Sequence, residues 1–216
     1  MIMRKLTIFD KLVNEIDQAL RTVHTLAPTT ARKNPSVDIT TEHDLSEDER
    51  KLSARLMRIN HAGEVSAQGL YRGQALTAKR EDIREQMEHS AMEENDHLNW
   101  CETRLDELDA HKSYLSPLWY MGSFSIGAVA GLVGDKWSLG FVKETEDQVV
   151  KHLDEHIVKI SKKDTRSLAI LNQMKIDEAH HADIAVEAGA AELPLPVRKF
   201  FMPLMSKVMT KTSARI

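Results

Sequence analysis

Two tetrads in this 216-residue sequence carry the same pair of ligating groups, Glu94-Asn-Asp-His97 and Glu178-Ala-His-His181. A separate glutamate precedes each at nearly the same distance: Glu64, in RINHAGEVSAQG, by 30 residues, and Glu146, in KETEDQVV, by 32. The order Glu, Glu-x-x-His, Glu, Glu-x-x-His thus recurs after 82 to 84 residues. On a helix, positions i and i+3 project the same way, so each Glu-x-x-His offers one oxygen and one nitrogen to a single metal ion. The two remaining glutamates can bridge or cap the pair. A lone Glu-x-x-His means little in a chain with 33 acidic residues and 10 histidines; the matched spacing of the two halves carries the signal. Four carboxylates balance two divalent ions, and a set of oxygen and imidazole donors without thiolates suits iron or manganese.

Helical phase separates these six residues from their neighbours. Glu146 shares its face with Leu139, Val142, Val150 and Leu153, whereas Glu144 falls beside Gln148 and Lys151. Glu178 lines up with Leu171, Met174, Ala182 and Ala185, and His181 with Met174, Ile184, Ala185 and Ala188. His180, beside Gln173, Asp183 and Glu187, is the outer histidine. Glu94 neighbours Met87, Ala91, Leu98 and Cys101, while Glu93 neighbours Gln86 and His89 and is set aside. Glu64 aligns with Met57, Ala67 and Tyr71. Carboxylates on four apolar faces are costly to bury without a counter-ion, which makes metal the expected occupant. Asp177, four residues before His181, is a candidate to orient that imidazole from behind.

Four long helices are needed to hold these faces together. Ser46 followed by Glu49 is a capping-box signature that opens a helix running to about 78; others are expected over about 81–110, 135–162 and 165–190. The second and third are joined by a long crossover, so the fold expected is all-α, an antiparallel four-helix bundle. The crossover holds residues 117–134, PLWYMGSFSIGAVAGLVG, an uncharged stretch of 18 residues with four glycines. It reads as a buried or interfacial hairpin segment, marginal as a membrane span. Leu6, Phe9, Leu12, Val13, Ile16 and Leu20 predict an amphipathic helix over 6–25, followed by a linker from Pro28 to about Asp44 containing Thr29, Thr30, Pro35, Thr40 and Thr41. After Pro194 and Pro196, the residues Val197, Phe200, Phe201, Leu204, Met205 and Val208 form a last amphipathic piece flanked by Arg198, Lys199, Lys207 and Lys211. The expected organisation is therefore an N-terminal helix and linker over 1–45, the bundle over 46–193 and a C-terminal amphipathic segment over 194–216.

Composition narrows the class. A formal charge of -4 gives no global attraction to nucleic acid, and the single Cys101 excludes an intramolecular disulfide framework or a cysteine-rich metal site. The first twenty residues include Asp10, Glu15 and Asp17, unlike a secretory or transit peptide, so they are expected to be retained in a bacterial cytoplasmic setting.

With these motifs in place, the chain resembles the demethoxyubiquinol hydroxylases of ubiquinone biosynthesis, a di-iron branch of the ferritin-like superfamily. The resemblance runs over about 46–195 and is carried by INHAGE at 59–64, Glu94-x-Asp-His97, the Glu146 helix and DEAHH at 177–181. It implies a ferritin-like bundle in which Glu64, Glu94, His97, Glu146, Glu178 and His181 bind two ferrous ions. The implied enzyme is a di-iron monooxygenase that uses dioxygen to hydroxylate the benzoquinol ring of a prenylated precursor. Where family members can carry an aromatic after a histidine beyond Glu146, His152 is followed here by Leu153, so no tyrosine relay is assigned there. A prenylated quinol stays in the bilayer, which implies a peripheral position on the cytoplasmic face of the cell membrane. Other ubiquinone-biosynthesis proteins and further copies of the chain are admitted as partners, and no dinucleotide motif is present. A ferritin-like iron-storage or ferroxidase protein and a dimanganese catalase stay open as alternatives on the ligand set alone.

Overall fold

The structure is a computed structural model that describes residues 7–30, 32–40 and 44–216. Seven α-helices are present among them: α1 (Ile8–His24), α2 (Glu47–Thr77), α3 (Glu81–Glu107), α4 (Ser116–Val133), α5 (Asp135–Lys159), α6 (Thr165–Glu187) and α7 (Met202–Ser213), the last entered through a π-helical turn at Val197–Phe201. The described residues contain no strand. Leu6 and Thr41, expected in the first helix and the linker, lie outside the described residues, as does the side chain of Leu12.

Helix α2 begins where the capping box placed it: Glu49 N–H donates to Ser46 Oγ at 3.3 Å and Ser46 N–H to Glu49 Oε2 at 2.8 Å. The hairpins α2–α3 and α5–α6 pack on each other, α3 against α6 and α2 against α5, which makes the four-helix bundle. At one end, Asp164 accepts from Ser167 N–H at the start of α6 and from the buried Arg104 guanidinium at 2.8 Å, tying α3 to α6. Beyond α3, Asp135 accepts from both Lys79 and Arg80 N–H at 3.0 Å, which fixes the far end of the crossover to the α2–α3 turn.

The crossover departs from its expected form. Residues 117–134 do not turn back as a hairpin; they form the single helix α4, laid along α2. Glycines of both helices mark where they approach most closely. A Cβ at Gly127 would collide with Leu70 O, and Cβ atoms at Gly69 and Gly73 of α2 would collide with Tyr120 O and Phe124 O. Small residues let two backbones meet where larger side chains would hold them apart. No helix of the described residues is long and apolar enough to cross a membrane.

Two apolar clusters fill the bundle. Met57, Trp100, Cys101, Leu153, Leu171 and Met174 lie in one, and Tyr71, Ile83, Met87, Leu139, Val142 and Ala185 in the other. On every bundle helix the acidic residue singled out by phase falls between a member of the first cluster and a member of the second. The core is thus interrupted at one level by charge.

Candidate metal centre

All six singled-out residues are buried, with Glu94 and His97 wholly enclosed and none of the six more than 4% exposed. Glu64, Glu94, His97 and Glu178 each bring one donor atom within 4.8 Å of the others. Both imidazoles present Nδ1 to the same two carboxylates. His97 Nδ1 lies 2.9 Å from Glu94 Oε2 and 3.0 Å from Glu178 Oε1, and His181 Nδ1 lies 3.2 Å from Glu94 Oε1 and 3.2 Å from Glu178 Oε2. Glu94 and Glu178 therefore each reach both histidines, one oxygen apiece. Glu64 approaches from the His97 side at 3.6 Å. Glu146 accepts a 2.7 Å hydrogen bond from the buried Tyr71 hydroxyl, and Tyr71 meets the His181 ring edge-on at 6.4 Å.

The electrostatics of this cluster fit a cation. Burial, reinforced by neighbouring carboxylates, pushes Glu64 and Glu146 well above the ordinary carboxyl range. Burial opposes charge on His97 as well, yet Glu94, Asp177 and Glu178 outweigh it and raise that imidazole well above its usual value. Left to themselves the groups hold protons in place of positive charge, which metal uptake would release. Glu94 Oε1 is buried without a hydrogen bond, 3.2 Å from His181 Nδ1. An orphaned carboxylate oxygen beside an imidazole nitrogen is what a metal ligand set presents when read by its hydrogen bonds alone. The cluster can bind metal.

Behind each imidazole stands a carboxylate from the opposite half. His97 Nε2 is 2.9 Å from Asp177 Oδ2, and His181 Nε2 is 3.0 Å from Glu93 Oε2. Burial disfavours charge on Asp177, but hydrogen bonds from His97 and Arg32 bring its carboxyl down to about 2. With Nε2–H donated outward, Nδ1 is left as the inward-facing lone pair, the tautomer a metal needs.

A cavity of about 380 Å3 opens beside the cluster, and Glu64 lines it. Its walls are largely apolar, drawn from α2, α4, α5 and the C-terminal arm, including Leu70, Leu118, Ile126, Phe141, Phe201 and Met205. Polar groups gather at one side: His156 Nδ1 lies 2.8 Å from Asn60 Oδ1, and His152 Nε2 lies 3.0 Å from Ser206 Oγ.

A family model described as ubiquinone biosynthesis protein COQ7 matches residues 51–213, which spans all four bundle helices and α7. The chain belongs to the COQ7 family. It is 57% identical to a 3-demethoxyubiquinol 3-hydroxylase of Nitrosococcus oceani, over 97% of each chain. It is also 54% identical to proteins of the same name from Ectopseudomonas mendocina, over 99% of this chain and 98% of the relative, and Pseudomonas putida, over 96% and 95%.

In this COQ7-family chain the structure brings Glu64, Glu94, His97 and Glu178 within reach of one another, sets His181 against Glu94 and Glu178, buries Glu146 against Tyr71, and leaves His180 exposed. Two expectations change. Asp177 serves an imidazole, but that of His97 and not His181, because the Nε2 edge of each ring faces across the bundle and away from its own helix. Glu93, set aside for its polar neighbours, is the counterpart that holds His181. A signal for both was present in the sequence: each Glu-x-x-His is preceded by an acid, Glu93 and Asp177, so the repeat is one residue longer on each side. Arg32, Thr30 and Asp96, which also converge here, carried no such signal.

Proposed function

We propose that the protein is a di-iron monooxygenase that hydroxylates the benzoquinol ring of a prenylated demethoxyubiquinol in ubiquinone biosynthesis. The observation that carries this reading is the meeting of a buried four-carboxylate, two-imidazole cluster with an apolar cavity at Glu64. The relatives' name, 3-demethoxyubiquinol 3-hydroxylase, supplies the ring. In this reading Glu64, Glu94, His97, Glu146, Glu178 and His181 would hold two Fe2+ ions, with Glu94 and Glu178 in reach of both imidazoles.

Two ferrous ions held there would supply the redox chemistry with dioxygen that no side chain provides. The chain's own residues hold and shield that chemistry. Asp177 and Glu93 fix the imidazole tautomers, and the Tyr71 hydroxyl holds Glu146 in place from its outer side. The apolar walls take the first prenyl units and exclude water, while Asn60, His156 and His152 offer donors and acceptors to the ring oxygens. Overall, one ring C–H becomes C–OH, one atom of dioxygen enters the product and the other leaves as water. Two electrons and two protons balance the reaction, drawn from the quinol itself or an external reductant.

The cavity mouth and its surroundings support a peripheral position on the cytoplasmic face of the bacterial membrane. Leu118, Met121, Phe200, Phe201 and Leu204 are exposed on the helix and arm that wall it, and the arm also carries Lys199, Lys207 and Lys211. Apolar side chains next to cations suit an anionic lipid surface. Another ubiquinone-biosynthesis protein, or a second copy of the chain, would compete for the same face. Residues 46–193 are then the catalytic bundle, 194–216 the lipid-facing arm and 1–45 an accessory segment. The test is turnover of ferrous-loaded protein with reduced demethoxyubiquinol under isotopically heavy dioxygen, expected to place one labelled oxygen in the ring. Iron uptake far beyond two per chain without product would move the function to storage, and rapid peroxide disproportionation by the manganese form would move it to a catalase.

A further inference from the structure

The segment between α1 and α2, expected to be only a linker, lies across α3 and reaches the back of one imidazole. Asn99 Nδ2 donates to Ala27 O at 3.0 Å. Thr30 donates through both N–H and Oγ1 to the two oxygens of Asp96, at 2.8 and 2.6 Å, and Asp96 is completely buried. Arg32 then spans three groups. Its guanidinium hydrogen-bonds Asp177 Oδ2, places Nε 3.9 Å from Asp96 Oδ2, and stacks with Cζ 5.2 Å from the centre of the Trp100 ring. Trp100 in turn packs 5.3 Å from the His97 ring. Gln173 Nε2 holds the other oxygen of Asp177 at 2.9 Å.

Among the described residues the opposite imidazole has less support, and Arg32 reaches its acceptor Glu93 only as a nearby charge, without a hydrogen bond. Glu93, the acceptor behind His181, has on its outer side the largely exposed His89, at 3.3 Å. The two halves repeat the same acid-Glu-x-x-His sequence, but Arg32, from outside the repeat, hydrogen-bonds the acid of only one of them. We propose that Arg32 is a positioning residue for His97, acting through Asp177 and Trp100, and that it makes the two metal positions unequal, the His97 position being held more tightly. A planar guanidinium suits this task because one group can hydrogen-bond a carboxylate in its plane and stack an aromatic on its face. This inference rests on the metal-site reading above.

Cobalt(II) titration of the metal-free full chain against a competing chelator, followed by the visible absorption of the bound ion, separates the two. Wild-type protein is expected to take up two ions in two steps. Arg32→Gln should weaken one step by about tenfold and shift its absorption bands, leave the other within about twofold, and keep the helical circular dichroism, the size expected when a ligand's outer partner is lost. Glu93→Gln should weaken the other step. Arg32→Lys, which keeps the charge but cannot both stack and hydrogen-bond in one plane, should recover only part of the loss. No change in Arg32→Gln, equal weakening of both steps, or the same step falling in both variants would overturn the inference while two bound ions in the wild type left the metal site standing. A wild-type chain that bound no cobalt would overturn the metal-site reading and the inference together.

Discussion

At the residue scale, the cluster sets charge against burial and every member has an assigned counterpart. Glu146 stands outside the tight foursome, held by Tyr71 and within the field of Glu94, Glu178 and His181. Glu146→Ala is expected to lose one of two bound irons and to lower turnover by about a hundredfold or more, with the helices intact; metal analysis, circular dichroism and product formation check it together. A different buried histidine governs stability. His61 is enclosed with neither ring nitrogen hydrogen-bonded, and burial, with Lys112 adding to it, pushes its imidazole down to about 3 from 6.5. Between those values the unfolded chain binds a proton that the folded chain refuses. Stability is therefore undiminished above about pH 6.5 and falls as pH drops toward 3, by up to about 1.4 kcal/mol per pH unit from this group. His61→Leu should flatten that slope by nearly one proton in urea unfolding curves taken from pH 7 to pH 4, and an unchanged slope would refute the assignment.

At the element scale, what was legible in the sequence was whatever depends on one helix alone. Phase along a helix selected Glu146 over Glu144 and His181 over His180, and the Ser46–Glu49 box fixed the start of α2. The pairing of Asp177 with His97 depends on which helix stands opposite, and no single-helix period contains that. The hairpin expected over 117–134 failed for the same reason, since Gly127 serves the backbone of α2 opposite it. Substituting Gly127→Val is expected to destabilise the chain by about 2 kcal/mol or more through collision with Leu70 O, because backbone on both sides cannot move aside as a side chain would. The α3–α6 tie makes a second case. Asp164→Ala removes both the cap of α6 and a partner of the buried Arg104, which keeps Ser167 and Glu107. A loss of about 3 kcal/mol in urea denaturation is expected, the range for breaking a buried ion pair by one partner.

At the scale of the whole molecule, part of the exposed apolar surface lies on the elements that wall the cavity beside the cluster. The cavity is walled by α4 and the C-terminal arm, and those elements also carry Leu118, Met121, Phe200 and Leu204 on the outside. Helix α1 adds to it. Its Glu15 pairs with Arg72 of α2 and its C-terminal end buries Val23, so the stripe of Phe9, Val13, Ile16 and Leu20 is left facing outward. A quinol whose tail remains in lipid needs only its ring to travel inward along the cavity, with no crossing of water. The consequence can be separated from the chemistry, because Phe200 and Leu204 are exposed and do not line the cavity. Each such side chain contributes about 1.5 kcal/mol or more when buried in lipid, so the double change Phe200→Ser and Leu204→Ser should weaken partition into anionic vesicles by at least about tenfold. Turnover of a short-chain, water-soluble quinol should stay at the wild-type rate, while turnover of the long-chain quinol presented in vesicles falls in step with binding. Equal loss on both substrates would place these residues in the folding of the arm, and no loss on either would remove lipid from this face.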